Sequence, residues 1–221
     1  MKKGLIYLLF FAVLVGVFYY FLFAGTDYYK SKLPVLSRVQ PFAFIDQNGN
    51  KFVNATLDGK VYATEYFFTT CKGICPKMNK NMRRVYEAFA DEANFVVVSH
   101  TCMPEVDSIP LLKAYEKKLI GDMSGHKALW YFVTGSKDSL YKMARESYLL
   151  DDAKNNSENI KDQFIHTQFF ALVDKKQQVR GIYDALKTDE INKLITNIKE
   201  LLKESADPAS FNHSSFSNNP N

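Results

Sequence analysis

Twenty consecutive apolar residues, Leu5 to Ala24 (LIYLLFFAVLVGVFYYFLFA), stand near the start of the chain. After them the apolar positions come in short runs that alternate between strand and helix spacing. At 1.5 Å per residue, a helix of this length spans a hydrocarbon core of about 30 Å. The run therefore predicts a transmembrane helix within residues 1–25. Lys2 and Lys3 sit on its short side, which keeps the N-terminus cytoplasmic and sends the remainder outside, into the periplasm of a bacterium. Tyr19, Tyr20, Tyr28 and Tyr29 lie around the far end, where interfacial rings are favoured. The apolar region of a cleaved leader spans only about 7–15 residues. Leu22-Phe23-Ala24 also makes a poor small-x-small cleavage site, so a retained anchor is expected. No cysteine follows the run, which argues against a lipid-anchored form.

Residues 26–38 read as a linker, and residues 39–204 as one α/β domain. In "PFAFIDQNGNKFV", Asn48-Gly49 between two short apolar runs predicts a hairpin. "KVYATEYFFTT" is rich in β-branched and aromatic residues and predicts a buried strand. In "PKMNKNMRRVYEAFADEA", Met78, Met82, Val85, Ala88 and Phe89 recur at helical spacing, with Pro76 in the first turn. "NFVVVSHT" and "ALWYFVTG" are strands. "DSIPLLKAYEKKLIG", closed by Gly121, and "SKDSLYKMARESYLL" are helices. Residues 151–162 form a polar inserted loop. "TQFFALVDKKQQVRGIYDA" is a hairpin turning at residues 175–178, and "TDEINKLITNIKELLKE" is a capped amphipathic helix. The Ser/Asn-rich residues 205–221 read as a disordered tail. Helices alternating with strands, then an antiparallel hairpin and a helix, predict a thioredoxin-like layer fold.

Composition changes this picture little. The net charge of +4 is mild. Lys and Glu are interspersed, and no basic stripe carries aromatics, so no nucleic-acid partner is expected. Cysteine matters more. Three cysteines in an exported domain leave one pair and one spare.

Cys71 and Cys75 lie where the strand "KVYATEYFFTT" turns into a helix, the edge at which sites form in α/β sheets. A helix N-terminus favours thiolate over thiol, so at least one of the two is expected to have a lowered pKa. A spacing of i, i+4 on a first helical turn brings both sulfurs to one side. They can then share one soft ion or form a disulfide; the spacing alone does not choose. Among the four histidines, His213 falls in the tail and His126 has a surface or capping setting. His166, immediately before the apolar hairpin, occupies the junction that carries the cis-proline of a thioredoxin. Two thiolates and one imidazole make a small soft site suited to Cu(I), with Zn(II) also open.

Cys71-x-x-x-Cys75-Pro76 after a strand, His166 in "HTQFFALVDKKQQVRGIYDA" and "SHTCMPEVDSIPLLKAY" with Asp107 resemble the Sco/SenC family of membrane-anchored copper proteins. That resemblance covers about Val39 to Leu202. It implies a thioredoxin-like fold, copper as Cu(I) or Cu(II) bound by Cys71, Cys75 and His166, and a partner in the copper-centre subunit of cytochrome c oxidase. Some relatives are instead assigned thiol–disulfide reductase roles, with Cys71 attacking and Cys75 resolving, so the enzyme question stays open. A peroxidase of peroxiredoxin type ranks last, because no P-x-x-x-T/S-x-x-C arrangement precedes Cys71. Two features depart from the family. Lys72 stands between the cysteines, where its charge favours thiolate but opposes a bound cation. Met103-Pro104 replaces Asp-Pro beside the extra Cys102.

His100, Cys102 and Met103 follow a strand that ends at the same edge. Cys102 reads either as a third thiol for the site or as a small buried residue, the commoner case. Met78 and Met82 read as core, and Asp107 as the cap of a helix starting at Ser108 or an indirect support of the site.

Overall fold

A computed structural model describes residues 2–23, 33–123, 125–152, 159, 160, 163, 165 and 167–204. Most of the predicted linker and inserted loop, the tail, His166 and His213 lie outside the described residues. The chain forms two compact units, residues 1–33 and 34–221. The first contains the helix α1 (Lys2–Phe23), which coincides with the predicted apolar run. None of its side chains from Lys3 to Tyr20 is buried in protein, and its length and composition suit a bilayer crossing.

In the second unit, eight strands make one sheet in the order β1-β8-β7-β4-β5-β6-β2-β3. They are β1 (Ser37–Arg38), β2 (Ala43–Asp46), β3 (Lys51–Val53), β4 (Val61–Phe67), β5 (Phe95–Thr101), β6 (Leu129–Thr134), β7 (Phe169–Val173) and β8 (Gln178–Asp184). The central β4, β5 and β6 run parallel, while β7 joins β4 antiparallel and continues into the β7–β8 hairpin. Ser37 and Arg38, at the end of the predicted linker, already pair with β8.

β4 and β5 are buried at all their positions, as strands covered on both faces must be. Helices α2 (Cys75–Ala88), α3 (Ile109–Ile120) and α5 (Thr188–Lys203) gather on one face: α2 touches α3 and α5, and α5 touches β4 and β8. On the other face, Tyr62, Tyr66, Val96 and Val98 pack with Leu140, Tyr141 and Tyr148 in one apolar cluster. Fully burying a Val- or Phe-sized side chain contributes about 1.5–3 kcal/mol. Alternation along β4 thus sends Tyr62, Thr64 and Tyr66 one way, and Ala63, Glu65 and Phe67 the other.

Both hairpins form where the turn residues put them. Asp46 Oδ1 accepts the amides of Asn48 and Asn50 at 2.8 Å each, and Gly49 takes φ +81°, a value that favours glycine. Asp174 Oδ1 likewise accepts the amides of Lys176 and Gln178 at 2.9 Å. Here the turn closes one residue sooner than expected, because Gln178 already belongs to β8.

Three local expectations need correction. The helix after Gly135 is α-helical only over α4 (Lys137–Lys142) and then widens into a π segment, Met143–Ser147. No side chain caps α5; Asp189 and Glu190 in its first turn complement the helix dipole instead. Nor does Asp107 cap α3, whose N-terminal flank is Ser108 with no side-chain cap bond.

Candidate functional site

Cys71 and Cys75 lie together at the C-terminal end of β4, as the sequence predicted, although by a different local geometry. Only Cys75 is helical, as the first residue of α2, with Pro76 next to it. Cys71 belongs to the preceding turn, where its amide donates to the Phe68 carbonyl at 3.2 Å. The pair therefore does not share a helical turn. The two residues are close enough all the same for Cys71 to act electrostatically on the Cys75 thiol. Cys71 is half-buried and Cys75 buried, which makes Cys71 the accessible sulfur of the pair.

A lowered pKa does not appear at Cys75. Burial pushes its thiol well up, and the interaction with Cys71 adds to this, while the Phe68 backbone opposes it only in part. Desolvation outweighs the helix terminus at this sulfur. Proton loss from Cys75 thus needs a strong partner, either a bound cation or a disulfide bond.

The approach to Cys71 is fastened from a neighbouring loop. Asp107, fully buried, accepts the Thr69 amide at 3.2 Å and the Thr69 hydroxyl at 2.5 Å, and also takes a hydrogen bond from the Thr101 hydroxyl. The Cys102 amide donates to the Phe67 carbonyl at 2.9 Å, which extends the β4–β5 pairing to the edge. Asp107 is therefore the indirect support of the site rather than a helix cap.

Cys102 is 2% exposed, and burial pushes its thiol up to about 12, with the Asp107 carboxylate as the next cause. Its charge also interacts with Cys71. Cys102 is thus a small buried residue whose charge is felt at Cys71. Met78 and Met82 are buried core residues, as expected.

His100 is not a residue of the site edge. It lies inside β5, ringed by Tyr66, Tyr148 and Phe44 with centroids 5.1, 5.4 and 5.5 Å away, and neither ring nitrogen has a hydrogen-bond partner. Burial lowers its pKa to about 3. His126 is half-buried against the Tyr86 ring. His166 lies outside the described residues, and among those described no three Cys, His, Asp or Glu side chains converge as a metal site. Its neighbours Ile165 and Thr167 are buried. Lys72 is exposed.

Sequence reasoning missed one acidic residue. Glu65, fully buried on the α2 face of β4, accepts Ser99 Oγ at 2.7 Å, and Ser99 Oγ in turn accepts Trp130 Nε1 at 2.9 Å. Its other oxygen has no partner, and burial raises its pKa to about 7. The charge of Glu65 also acts on Cys75, raising that thiol further. An acid inside the apolar run "VYATEYFF" was the available signal.

A family model described as SCO1/SenC matches residues 33–203. The SCO1 protein homolog of Bacillus subtilis is 27% identical over 170 residues, covering 76% of this chain and 84% of its own length. A Stutzerimonas stutzeri protein named for copper binding is 26% identical over 170 residues, covering 75% of this chain and 79% of its own. The solved structure of BsSco, described as having a disulfide switch and as a member of the Sco family of cytochrome c oxidase assembly proteins, has a TM-score of 0.64 at 26% identity. It covers 78% of this chain and 98% of the other.

Proposed function

The chain belongs to the SCO1/SenC family, and we propose that it is a membrane-anchored metallochaperone that binds one copper ion through Cys71, Cys75 and His166 and passes it to the copper-centre subunit of cytochrome c oxidase. The observation that carries this reading is the placement of two interacting cysteines at a sheet edge, Cys71 half-buried and Cys75 buried. Two adjacent thiolates are a soft donor pair that prefers Cu(I), and an imidazole completes a three-ligand site. The raised Cys75 pKa fits the same role, since a cation displaces its proton on binding and the proton returns on release. The accessible Cys71 is the ligand through which copper leaves by exchange. The apolar helix α1 supports an anchor, and Lys2 and Lys3 at its start favour a domain on the extracytoplasmic side.

Copper titration of the full chain in detergent tests this. The dithiol form is expected to bind about one copper, and Cys71→Ser with Cys75→Ser to bind none. Unchanged copper content in the double variant refutes the site.

A second reading rests on the unequal exposure of the same pair and on the disulfide switch described for BsSco. Here Cys71 thiolate attacks a protein disulfide, Cys75 resolves the mixed disulfide, the substrate leaves as a dithiol, and the Cys71–Cys75 disulfide forms. Disulfide turnover that His166→Ala leaves intact, with no copper dependence, favours this alternative.

A further inference from the structure

The outer face of α2 carries a row of cations that starts at the cysteines. Lys77, Lys80 and Arg84 are spaced i, i+3 and i+7, so they stand on one side of the helix over about 10 Å of its length. Lys72, in the turn between Cys71 and Cys75, continues the row to the pair itself. The three lysines are exposed and Arg84 is half-buried. Among the described residues none of the three lysines makes an ion pair or a side-chain hydrogen bond, and Arg84 donates to the neutral Asn192 Oδ1 at 3.4 Å.

These cations differ from an ordinary solvated face, on which opposite charges alternate. Arg83, beside Arg84, is balanced: it pairs with Glu87 at 2.9 Å and with Asp122 at 2.7 Å. Acids on the elements around α2 have cations of their own. Glu116 of α3 pairs with Lys113, Asp184 and Glu190 pair with Lys187 and Lys193, and Glu105 in the loop after β5 lies 3.9 Å from Lys137. Asp189 is exposed in the first turn of α5, where it complements that helix's own dipole. The first turn of α2, by contrast, contains no acid, and Ile74 before it supplies no side-chain cap. A lysine at this end opposes the helix dipole, so helix stability gives no reason for Lys77.

The cysteine edge also offers apolar groups. Ile74, Met103 and Pro104 are half-buried, while Pro76 and Val106 are exposed. The Asp107 bonds to Thr69 hold the loop of Met103 and Val106 to the turn that carries Cys71. Apolar groups inside a charged rim are the usual build of a non-obligate protein interface. We propose that Lys72, Lys77, Lys80 and Arg84 form a cationic docking surface, which steers an acidic face of the copper-accepting protein onto Cys71. The inference rests on the copper-delivery reading given above and adds the character of the acceptor's surface. Complementary charge speeds encounter by about 10- to 1000-fold and fades as salt is added. At physiological ionic strength such charges act over about 8 Å, so cations in the first turns after Cys75 count most.

The experiment follows copper transfer from the Cu(I)-loaded full chain in detergent to the metal-free copper-centre domain of cytochrome c oxidase. The second-order rate constant is read by stopped flow at several salt concentrations. Lys77→Glu with Lys80→Glu is compared with wild type and with Lys51→Glu plus Lys176→Glu. The latter makes the same change of net charge on the edge strand β3 and in the β7–β8 turn, where both lysines are exposed. Lys72 is left in place because it adjoins the proposed ligands. Transfer is expected to be about tenfold slower at low ionic strength in the α2 variant, with the difference closing toward about 1 M salt. The Lys51 and Lys176 variant is expected to stay within about twofold of wild type. Chelator competition, expected to place the copper affinity of the α2 variant within about threefold of wild type, separates docking from metal binding. A wild-type rate in the α2 variant, an equal loss in both variants, or a loss that high salt does not relieve overturns the docking surface and leaves copper delivery standing. A wild-type chain that binds copper yet transfers none refutes the delivery reading, and the docking surface falls with it.

Discussion

The Asp107 carboxylate holds Thr69 at both its amide and its hydroxyl, two residues before Cys71. The loop after β5 and the turn carrying the first cysteine are therefore one unit. Asp107→Ala leaves the Thr69 amide, the Thr69 hydroxyl and the Thr101 hydroxyl without their acceptor. A loss of about 2–4 kcal/mol is expected in urea unfolding of the full chain, together with weaker copper binding, because unmatched buried donors are costly. A loss below about 1 kcal/mol contradicts the clamp.

Glu65 gives a pH dependence of known sign. Below pH 4.5 the carboxyl is protonated in both folded and unfolded chains. Between 4.5 and about 7 only the unfolded chain ionises, so the folded state loses relative stability as pH rises, and the penalty levels off above about 7. Glu65→Gln can keep the Ser99 bond without that penalty. Its stability relative to wild type is expected to rise across this window by up to about 3 kcal/mol. A constant difference between the two unfolding curves rejects the buried neutral acid.

His100 has the opposite sign. It is neutral when folded, with its pKa lowered from 6.5 to about 3, so its contribution is lost as pH falls through that interval. Neither nitrogen has a hydrogen-bond partner and the neighbours are aromatic, so His100→Phe breaks no hydrogen bond. The variant is expected to match or exceed wild-type stability at pH 7, by about 1 kcal/mol, and to resist acid better. Clear destabilisation in thermal melts at pH 7 points to an unseen polar role.

The sheet, both hairpins and the cysteine edge were legible because each is a local pattern. The run "KVYATEYFFTT" reads as a strand whatever surrounds it, and Asn48-Gly49 specifies its own turn. What remained hidden depends on contacts distant in sequence. Asp107 stands where a helix cap belongs, and only the folded chain shows that Thr69, 38 residues away, claims its carboxylate. The π segment leaves no mark on the apolar spacing of "SKDSLYKMARESYLL", and the contacts of its Arg145 with Asp151 and Gln163 appear only in the folded chain. The lowered thiol pKa expected from the helix terminus yields at Cys75 to burial, which no local spacing reports.

Lys72, exposed between the two cysteines, places a cation beside a site proposed to hold another. Lys72→Glu is expected to raise copper affinity by about threefold at low ionic strength, an effect that shrinks with added salt because the side chain is solvated. Chelator competition at two salt concentrations measures this. Equal affinity of variant and wild type at low salt shows that Lys72 does not oppose the metal.

Cu(I) competition on the reduced full chain, with His166→Ala beside wild type, probes the three-ligand copper site most directly. About one copper per wild-type chain is expected, with His166→Ala weaker by about tenfold or more while its cysteine pair still oxidises and reduces normally. Equal copper affinity in the two chains contradicts a site closed by His166.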